Sequence, residues 1–338
     1  MDALRQDFRY ALRRLRSHPA FTTIVVLTLA LGIGANAAIF SVVNTVLLRP
    51  LPYRAPEQLV TIYHYYAGLN HLEAPVSAIG FRDYRDRTRD FSGVAVETPW
   101  HVNLTGFGDP QRVDGVRVSG LFFQTFGVPA ALGRALLPEE DAPGRNREVV
   151  LSGALWRRLF GGSRSAIGQK MILDGVPYDV VGVMPASFRD PFGREAELWT
   201  PLALPPEAFT PREYTHEWLN LVARMKPGVT LGQAARDMRA FAAQLKRDYA
   251  DTFPPDWTLE VKNLMDVRTG AIRPALLVLL GAVGFVLLIA CANVANLLLA
   301  RAAARTREVA IRTALGATTS DVLRLVVRQG MTLVLIGV

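Results

Sequence analysis

The chain has 338 residues, 50% of them hydrophobic, and a formal net charge of +8. Such a charge can indicate nucleic-acid binding, but the excess lies beside two long apolar stretches, where anionic lipid headgroups explain it. The only cysteine, Cys291, lies within the second stretch, so the soluble part cannot contain a disulfide bond. The composition therefore favours a membrane protein that contacts lipid and argues against nucleic acid as a partner.

The N-terminal region combines a basic segment with the first apolar stretch. Residues 1–20 place apolar side chains on one helical face and arginines around the other, which predicts a cytoplasmic amphipathic helix in the membrane interface. Residues 21–48 are uncharged and exceed the roughly 20 residues that cross a bilayer. Ala35-Asn36-Ala37 resembles a signal-peptide cleavage site, but the apolar stretch continues well beyond it. We therefore predict an uncleaved transmembrane helix.

Between the two stretches, residues 49–273 change to short apolar runs separated by turn signals. The predicted elements are a strand over 58–65, a helix over 77–90 capped by Ser77 and a strand over 93–97, then a strand over 218–225, a helix over 230–249 capped by Thr230 and a strand over 258–264. Two β-α-β units are the content of a ferredoxin-like α/β sandwich. Here this sandwich is split into residues 49–112 and 216–273.

The interruption, residues 113–215, has its own pattern of strands and short helices. Its predicted elements are a strand over 113–118, a short helix over 121–126, a strand over 149–151, a helix around Trp156 and strands over 171–173 and 178–183. Asp174-Gly175 between the last two strands is a strong signal for a two-residue hairpin. We predict an inserted small α/β subdomain, and an α+β membrane protein as the fold class.

The second apolar stretch, residues 274–300, predicts another transmembrane helix. Both stretches carry small or amide side chains, which let transmembrane helices approach closely and hydrogen-bond to each other. The predicted packing residues are Ala30, Gly34, Ala38, Asn293 and Asn296. A second interpretation, in which the asparagines of the two helices line a substrate path, stays open.

Arginines in the short segments flanking both helices place those segments in the cytoplasm. An even number of crossings then makes residues 49–273 extracytoplasmic. Residues 301–322 predict a short cytoplasmic helix and a loop, and residues 323–338 predict the start of a third transmembrane helix. A helix of about ten residues is marginal alone in water, so it requires a membrane surface or a protein groove.

Searches for catalytic motifs find only near matches. Gly32-Ile33-Gly34-Ala35-Asn36-Ala37 resembles a dinucleotide-binding fingerprint, but it lies within a membrane stretch. His216-Glu217-Trp218-Leu219-Asn220 resembles a zinc-protease motif but has asparagine at the second metal ligand. The sequence contains no phosphate-binding loop of the ATPase type. It therefore predicts no catalytic residue, no metal site and no cofactor in this chain.

Several motifs together resemble the MacB class of ABC transporter permeases, also called FtsX-like permeases. The most specific is the cytoplasmic segment from Thr306 to Ala317, and the resemblance extends over the whole length. The other motifs are Val118-Ser119-Gly120-Leu121-Phe122-Phe123, Ala131-Leu132-Gly133-Arg134, Leu151-Ser152-Gly153-Ala154-Leu155-Trp156, Val181-Gly182-Val183-Met184-Pro185 and, as in the duplicated permeases of this class, Leu29-Ala30-Leu31-Gly32-Ile33-Gly34-Ala35-Asn36.

The resemblance implies a four-span, multi-pass subunit of the bacterial inner membrane with a periplasmic core domain that has a porter-like part. Such permeases form homodimers or pseudo-dimers and bind an ATPase that holds ATP and magnesium; exporters of the class often add a periplasmic adaptor and an outer-membrane channel. The residues implied to dock the ATPase are Arg305, Arg307, Glu308, Val309, Ile311, Arg312, Leu315 and Gly316. The alternatives are an FtsX-like signalling subunit without transport and a membrane sensor receptor.

Overall fold

The structure, a computed structural model, describes residues 19–48, 51–70, 72–249, 252–270 and 272–303. The chain divides into two compact units. The first contains the two long apolar helices, and the second, Pro50–Ala271, contains the sheet. The predicted interfacial helix, apart from its last two residues, and the predicted segments 304–322 and 323–338 lie outside the described residues.

The helices and strands are numbered in chain order. They are α1 (Pro19–Val43), β1 (Leu59–Tyr66), β2 (Leu72–Ala74), β3 (Val76–Ser77), α2 (Ala78–Arg87), β4 (Phe91–Thr105), β5 (Gln111–Val118), α3 (Phe122–Phe126), β6 (Leu132–Gly133), β7 (Glu148–Leu151), α4 (Gly153–Phe160), β8 (Lys170–Leu173), β9 (Val176–Val183), β10 (Leu198–Pro201), β11 (Glu217–Met225), α5 (Leu231–Asp248), β12 (Trp257–Asn263), α6 (Leu264–Gly270) and α7 (Arg273–Ala303). A π-helical turn, Asn44–Leu48, continues α1.

The first unit contains an antiparallel contact between α1 and α7. By length and composition, Thr22–Leu47 and Arg273–Leu297 could each cross a membrane. Val25 is fully buried against Val294, and Gly32 brings α1 so close to α7 that a Cβ atom there would lie 3.3 Å from the Leu287 side chain. One turn further, the Asn36 amide donates to the Val283 carbonyl at 3.0 Å. A small residue and an amide therefore hold this pair together, as in membrane helix packing.

In the second unit, four antiparallel strands are arranged in the order β12-β1-β11-β4. Helix α2 connects β1 to β4, and α5 connects β11 to β12. The predicted caps are confirmed: the Ser77 hydroxyl accepts from the Gly80 amide at 3.1 Å, and Thr230 accepts from Gln233 at 3.2 Å. Apolar residues of both helices share one core with these strands. The six elements therefore form a two-layer sandwich, in which two helices pack against one sheet.

Strand β4 is much longer than predicted, because it continues from Phe91 past Glu97 to Thr105. The prediction stopped where Pro99 interrupts the strand pattern, since proline cannot donate to a ladder. In the structure, Pro99 lies where β4 has already left β11, whose pairing ends at Glu97, and has not yet reached β8. The proline therefore occupies a stretch that is open on one side, where strand prolines are tolerated.

The inserted strands continue the same sheet and then close on it. Pairing runs from β4 through β5, β10, β7, β9 and β8, and β8 returns to β4 through Leu173 with Leu104 and Ile172 with Thr105. The hairpin between β8 and β9 has the predicted turn, with Asp174 at φ 48°. Apolar residues of these strands fill the interior. The insertion is thus a small closed ring of strands that shares β4 with the first four-stranded part.

Gly32 and Gly34 provide a matched test of the helix contact. We expect Gly32→Leu to force α1 and α7 apart, because its side chain would meet Leu287 and Ala290, whereas a Cβ at Gly34 has nothing within 4 Å. The measurement is disulfide crosslinking of Val25→Cys with Val294→Cys in a Cys291→Ser background. A several-fold loss of crosslinking is expected for Gly32→Leu, and none for the control variant Gly34→Leu. Equal crosslinking yields for these two variants would contradict the contact.

Gly182 tests the attachment of β6 to β9. A Cβ atom there would lie 1.9 Å from the Arg134 carbonyl oxygen, and backbone atoms on both sides cannot move independently. We expect Gly182→Ala to lower the free energy of unfolding by about 1–3 kcal/mol, as overpacking does. Gly232→Ala is the control, because its nearest contact is a guanidinium nitrogen at 3.8 Å. Thermal unfolding of both variants measures the difference, and equal stability would refute the close approach.

Candidate functional site

The residues predicted from sequence to act in function fall into two groups. The partner-docking residues between Arg305 and Gly316 lie outside the described residues, so their role stays a prediction. Among the predicted packing residues, Ala30 is half-buried and the others, Gly34, Ala38, Asn293 and Asn296, are exposed. The contact with α7 instead uses the neighbouring stripe that contains Gly32 and Asn36. Packing of these five residues against further helices therefore stays a prediction as well.

The zinc-protease-like string begins a strand, not a helix. Glu217 lies at the start of β11, where its carboxylate contacts the ring of buried His64 and accepts from the Tyr66 hydroxyl at 2.5 Å. The other His64 nitrogen lies 2.6 Å from the Tyr84 hydroxyl. These contacts give both ring nitrogens of His64 a hydrogen-bond partner inside the core, as buried polar groups require. Within the described ranges, no group of three or more His, Cys, Asp or Glu residues is placed to hold a metal ion.

A different arrangement lies where the chain enters and leaves the second unit. We call residues 51–58 the incoming segment and α6 the outgoing helix. The Arg224 guanidinium, projecting from β11, donates to three backbone carbonyls: Arg54 at 2.6 Å, Thr125 at 2.7 Å and Ala55 at 3.2 Å. Two of these carbonyls belong to the incoming segment. One cation therefore ties that segment to the sheet through charge-assisted hydrogen bonds.

The backbone of the incoming segment is fixed closely against α3. The Arg54 amide donates to the Phe126 carbonyl at 3.0 Å. Gly127 follows at φ 66°, where a Cβ atom would lie 2.7 Å from the Arg54 Cβ. Only glycine adopts this left-handed conformation without cost and also leaves room for the segment. Ala55 itself has φ 43°, a conformation that costs free energy and that its hydrogen bond to Arg224 holds in place.

Tyr53 anchors the same segment in a second core. Its ring is buried and lies 4.8 Å from the Phe126 ring centroid, and its hydroxyl donates to the Arg189 carbonyl at 2.7 Å. Burial is the largest influence that raises the pKa of Tyr53, while Arg268 of the outgoing helix lowers it. The tyrosine therefore stays neutral and continues to donate throughout the ordinary pH range.

The outgoing helix reaches the same core. Leu264 at its start is fully buried in the cluster that contains Tyr53 and Leu59. The Asn263 side chain accepts from the Met265 amide at 2.9 Å and donates to the Glu57 carbonyl at 3.3 Å. It thus caps the outgoing helix and contacts the incoming segment at once. Both connections of the second unit are consequently fixed to one core.

Arg224 was missed by sequence reasoning, although a signal was present. It interrupts the apolar strand Leu221-Val222-Ala223-Arg224-Met225, where an unpaired charge is costly. Burial, followed by the nearby charge of Arg54, lowers the pKa of Arg224. No acidic partner is close in sequence, and its three carbonyl acceptors come from distant backbone. Such an interaction cannot be found from spacing, because carbonyl groups leave no trace in side-chain identity.

We expect Arg224→Met to lower the free energy of unfolding by about 2–4 kcal/mol, since it leaves half-buried carbonyls without their donor. Deuterium exchange of amides in residues 51–58 should also become faster. Exposed Arg236 of α5 supplies the control variant Arg236→Met, which keeps the change in charge and length. If both variants unfold and exchange alike, Arg224 does not hold the incoming segment.

Two family profiles match this sequence. The profile of MacB-like periplasmic core domains matches residues 22–241, and that of the FtsX-like permease C-terminal region matches residues 280–338. The first match covers more than half of the chain. It includes most of α1 and most of the second unit, with the incoming segment and Arg224.

Individual relatives have the same assignment. The macrolide export ATP-binding/permease protein MacB of Burkholderia lata is 30% identical over 226 residues, which are 65% of this chain and 31% of that protein. The MacB protein of Burkholderia cenocepacia is 27% identical over 240 residues, 70% of this chain and 32% of that protein. The chain spans about a third of the length of these curated relatives.

A solved structure of the periplasmic region of MacB from Actinobacillus actinomycetemcomitans aligns with a TM-score of 0.44 and 16% identity, covering 64% of this chain and 92% of that one. The sequence profiles, which match on both sides of the second apolar stretch, are the stronger finding. From them, the chain belongs to the MacB-like and FtsX-like permeases of ABC transporters.

Proposed function

We propose that this chain is the permease subunit of an ABC-type export system, in which motion driven by an ATPase in the cytoplasm reaches a periplasmic domain. The observation that carries this proposal is the fixation of both chain connections to one core. Arg224 holds the incoming segment, and Leu264 and Asn263 hold the outgoing helix. A domain attached in this way follows the movement of the helices that precede and follow it, as mechanical transmission requires.

The proposed location is the bacterial inner membrane, with the second unit in the periplasm. The arginine-rich flanks of both apolar helices favour this orientation. We infer further that β1, β4, β11 and β12, with α2 and α5, are a split ferredoxin-like, porter-like part. The strand order β12-β1-β11-β4 with two crossing helices supports it, since it is the order expected for two joined β-α-β units.

The proposed partner is an ABC ATPase that binds ATP and magnesium, because this sequence contains no phosphate-binding loop of its own. The proposed docking segment is Thr306 to Ala317. Its charged residues, Arg307, Glu308 and Arg312, would bind the groove of the ATPase, and its apolar residues would fill it. Two copies, or a pseudo-dimer of permeases, would then bring two ATPase subunits together. A periplasmic adaptor and an outer-membrane channel complete the assembly in this proposal.

An FtsX-like signalling role without transport is the second candidate. The fixed connections serve it equally well, because a regulator of an enzyme outside the membrane also needs motion to reach its periplasmic domain. The match of the FtsX-like profile to residues 280–338 is the observation that favours it. The two candidates differ only in what leaves the periplasmic domain, a transported molecule or a conformational signal.

The first test is co-purification of this chain with its candidate ATPase in lipid. We expect an Arg307/Glu308/Arg312 triple alanine variant to lose the ATPase and the stimulation of ATP hydrolysis, because the charged contacts would be absent. Arg324→Ala, beyond the docking segment, is the control and should behave as wild type. An ATPase that binds the triple variant normally would exclude the proposed docking role.

Arg224→Met separates transmission from docking. If the ATPase still binds this variant but export of the transported molecule fails, the incoming segment held by Arg224 carries the motion. Transport at the wild-type rate by a correctly folded Arg224→Met variant would instead show that motion reaches the periplasmic domain by another route. Absence of any transport, with intact release of a periplasmic enzyme from inhibition, would support the signalling role.

A further inference from the structure

Two acidic side chains are buried together on the sheet face that packs against the Tyr53 core. Glu97 of β4 is 0% exposed, and Asp190, in the loop of residues 185–197 that leads to β10, is 2% exposed. The strands on either side of Glu97 pair it with uncharged residues, Asn220 and Val118. Acidic residues are almost never fully buried unless they are paired. These two therefore need a physical explanation.

The hydrogen bonds around the two carboxyl groups are incomplete. Arg194 contacts Glu97 Oε1 directly and lies 3.9 Å from Asp190 Oδ1. Asp190 Oδ1 also accepts from the amides of Phe192 at 2.9 Å and Arg194 at 3.2 Å. The other two oxygens, Glu97 Oε2 and Asp190 Oδ2, are buried and receive no donor from any described residue. One guanidinium thus serves two carboxyl groups, and one oxygen of each is left over.

A single proton resolves both deficits. Both carboxyl groups lie against the same Arg194 guanidinium, so a proton on one of them supplies the site with a hydrogen-bond donor and leaves the pair with one negative charge, which Arg194 balances. With both groups ionised, two like charges would share a buried site, which is strongly unfavourable. Burial first, and then the charge of Asp190, raise the pKa of Glu97 well above its usual range, while Arg194 opposes that shift.

We propose that Glu97 and Asp190 form a buried proton-binding site whose shared proton fastens the 185–197 loop to the sheet. The same loop supplies the Arg189 carbonyl that accepts from Tyr53 of the incoming segment. The proton therefore controls a contact made by the chain connection itself. This consequence rests on the proposed function, whereas the proton site does not.

Other charged groups surround the site and decide its response to pH. The charges of Asp190, Glu97 and Arg268 of the outgoing helix all influence the pKa of Tyr53, and Arg268 lines the same cavity as Asp190. Asp190 and Arg194 line an open cavity of about 660 Å³, which gives the proton a path to solvent. The remaining charged residues of that cavity are Asp114, Arg157, Arg189, Glu195 and Glu197. Three of these five residues are acidic and two are basic, so together they add little net charge. The response of the site to pH is therefore set mainly by Glu97, Asp190 and Arg194.

The sign of the pH dependence follows from the retained proton. The unfolded chain releases the Glu97 proton near the ordinary carboxyl pKa, but the folded chain keeps it to higher pH. Between those two values the folded state binds more protons, so the free energy of unfolding falls as pH rises. Loss of the proton should loosen the 185–197 loop first, because the new negative charge would lie against Asp190.

Infrared difference spectroscopy detects the proton directly, on the whole chain in lipid. We expect wild type at neutral pH to show the carbonyl stretch of a protonated buried carboxyl group. The band should disappear in Glu97→Gln, whose amide can donate to Asp190 as the proton-bearing group does, and in Asp190→Asn, whose amide can donate to an ionised Glu97. Exposed Glu195 of the same loop supplies the control, and Glu195→Gln should leave the band intact.

Thermal unfolding from about pH 6 to about pH 9 gives the second readout. The melting temperature of wild type and of Glu195→Gln should fall by several degrees more than that of Glu97→Gln over this range. The proposal is overturned if wild type lacks the carboxyl band, if Glu97→Gln and Asp190→Asn both retain it, or if Glu97→Gln keeps the full pH dependence. None of these readouts requires an ATPase or transport, so failure of the proposed function would not affect them.

Discussion

The hydrogen bonds of Arg224 to the incoming backbone are the interaction on which the arrangement of the second unit depends. A strand residue in the middle of the sheet reaches carbonyls of the incoming segment and of α3. That cation acts together with the Gln58 amide, which also donates to the Ala55 carbonyl, and the two help to hold the strained Ala55 and the close approach at Gly127. Without Arg224, the Tyr53 hydroxyl and the Arg54 amide would keep their hydrogen bonds, but the incoming segment would lose its attachment to β11.

Much of the fold follows from local chemistry that a sequence displays. The caps at Ser77 and Thr230, the Asp174-Gly175 turn and the apolar periodicity of α5 were all visible, because each depends on residues within a few positions of each other. The same signals predicted the helices and strands of the two β-α-β units. The apolar lengths of α1 and α7 were equally plain, since span length needs only composition.

Features that depend on distant pairing could not be predicted. The extension of β4 past Pro99 was missed because tolerance of a proline depends on which side of the strand is open. The face of α1 that meets α7 was not identified in advance: Gly32 and Asn36 make this contact, and the packing of Ala30, Gly34 and Ala38 against further helices stays a prediction. A small-residue pattern shows that helices can approach, but not which face does so. Glu97 and Asp190 are 93 positions apart, and nothing near either one identifies the other.

The return of β8 to β4 affects how the inserted part meets other molecules. An open sheet of short strands presents unpaired amide and carbonyl groups along its edge, which invite pairing with another chain. Here the six strands of the ring pair in a closed cycle, so that each of them has a partner strand on both sides, although β4 is open on one side around Pro99. This closure leaves little strand edge for addition of an extended peptide, and it favours association through side chains and loops, which can be selective.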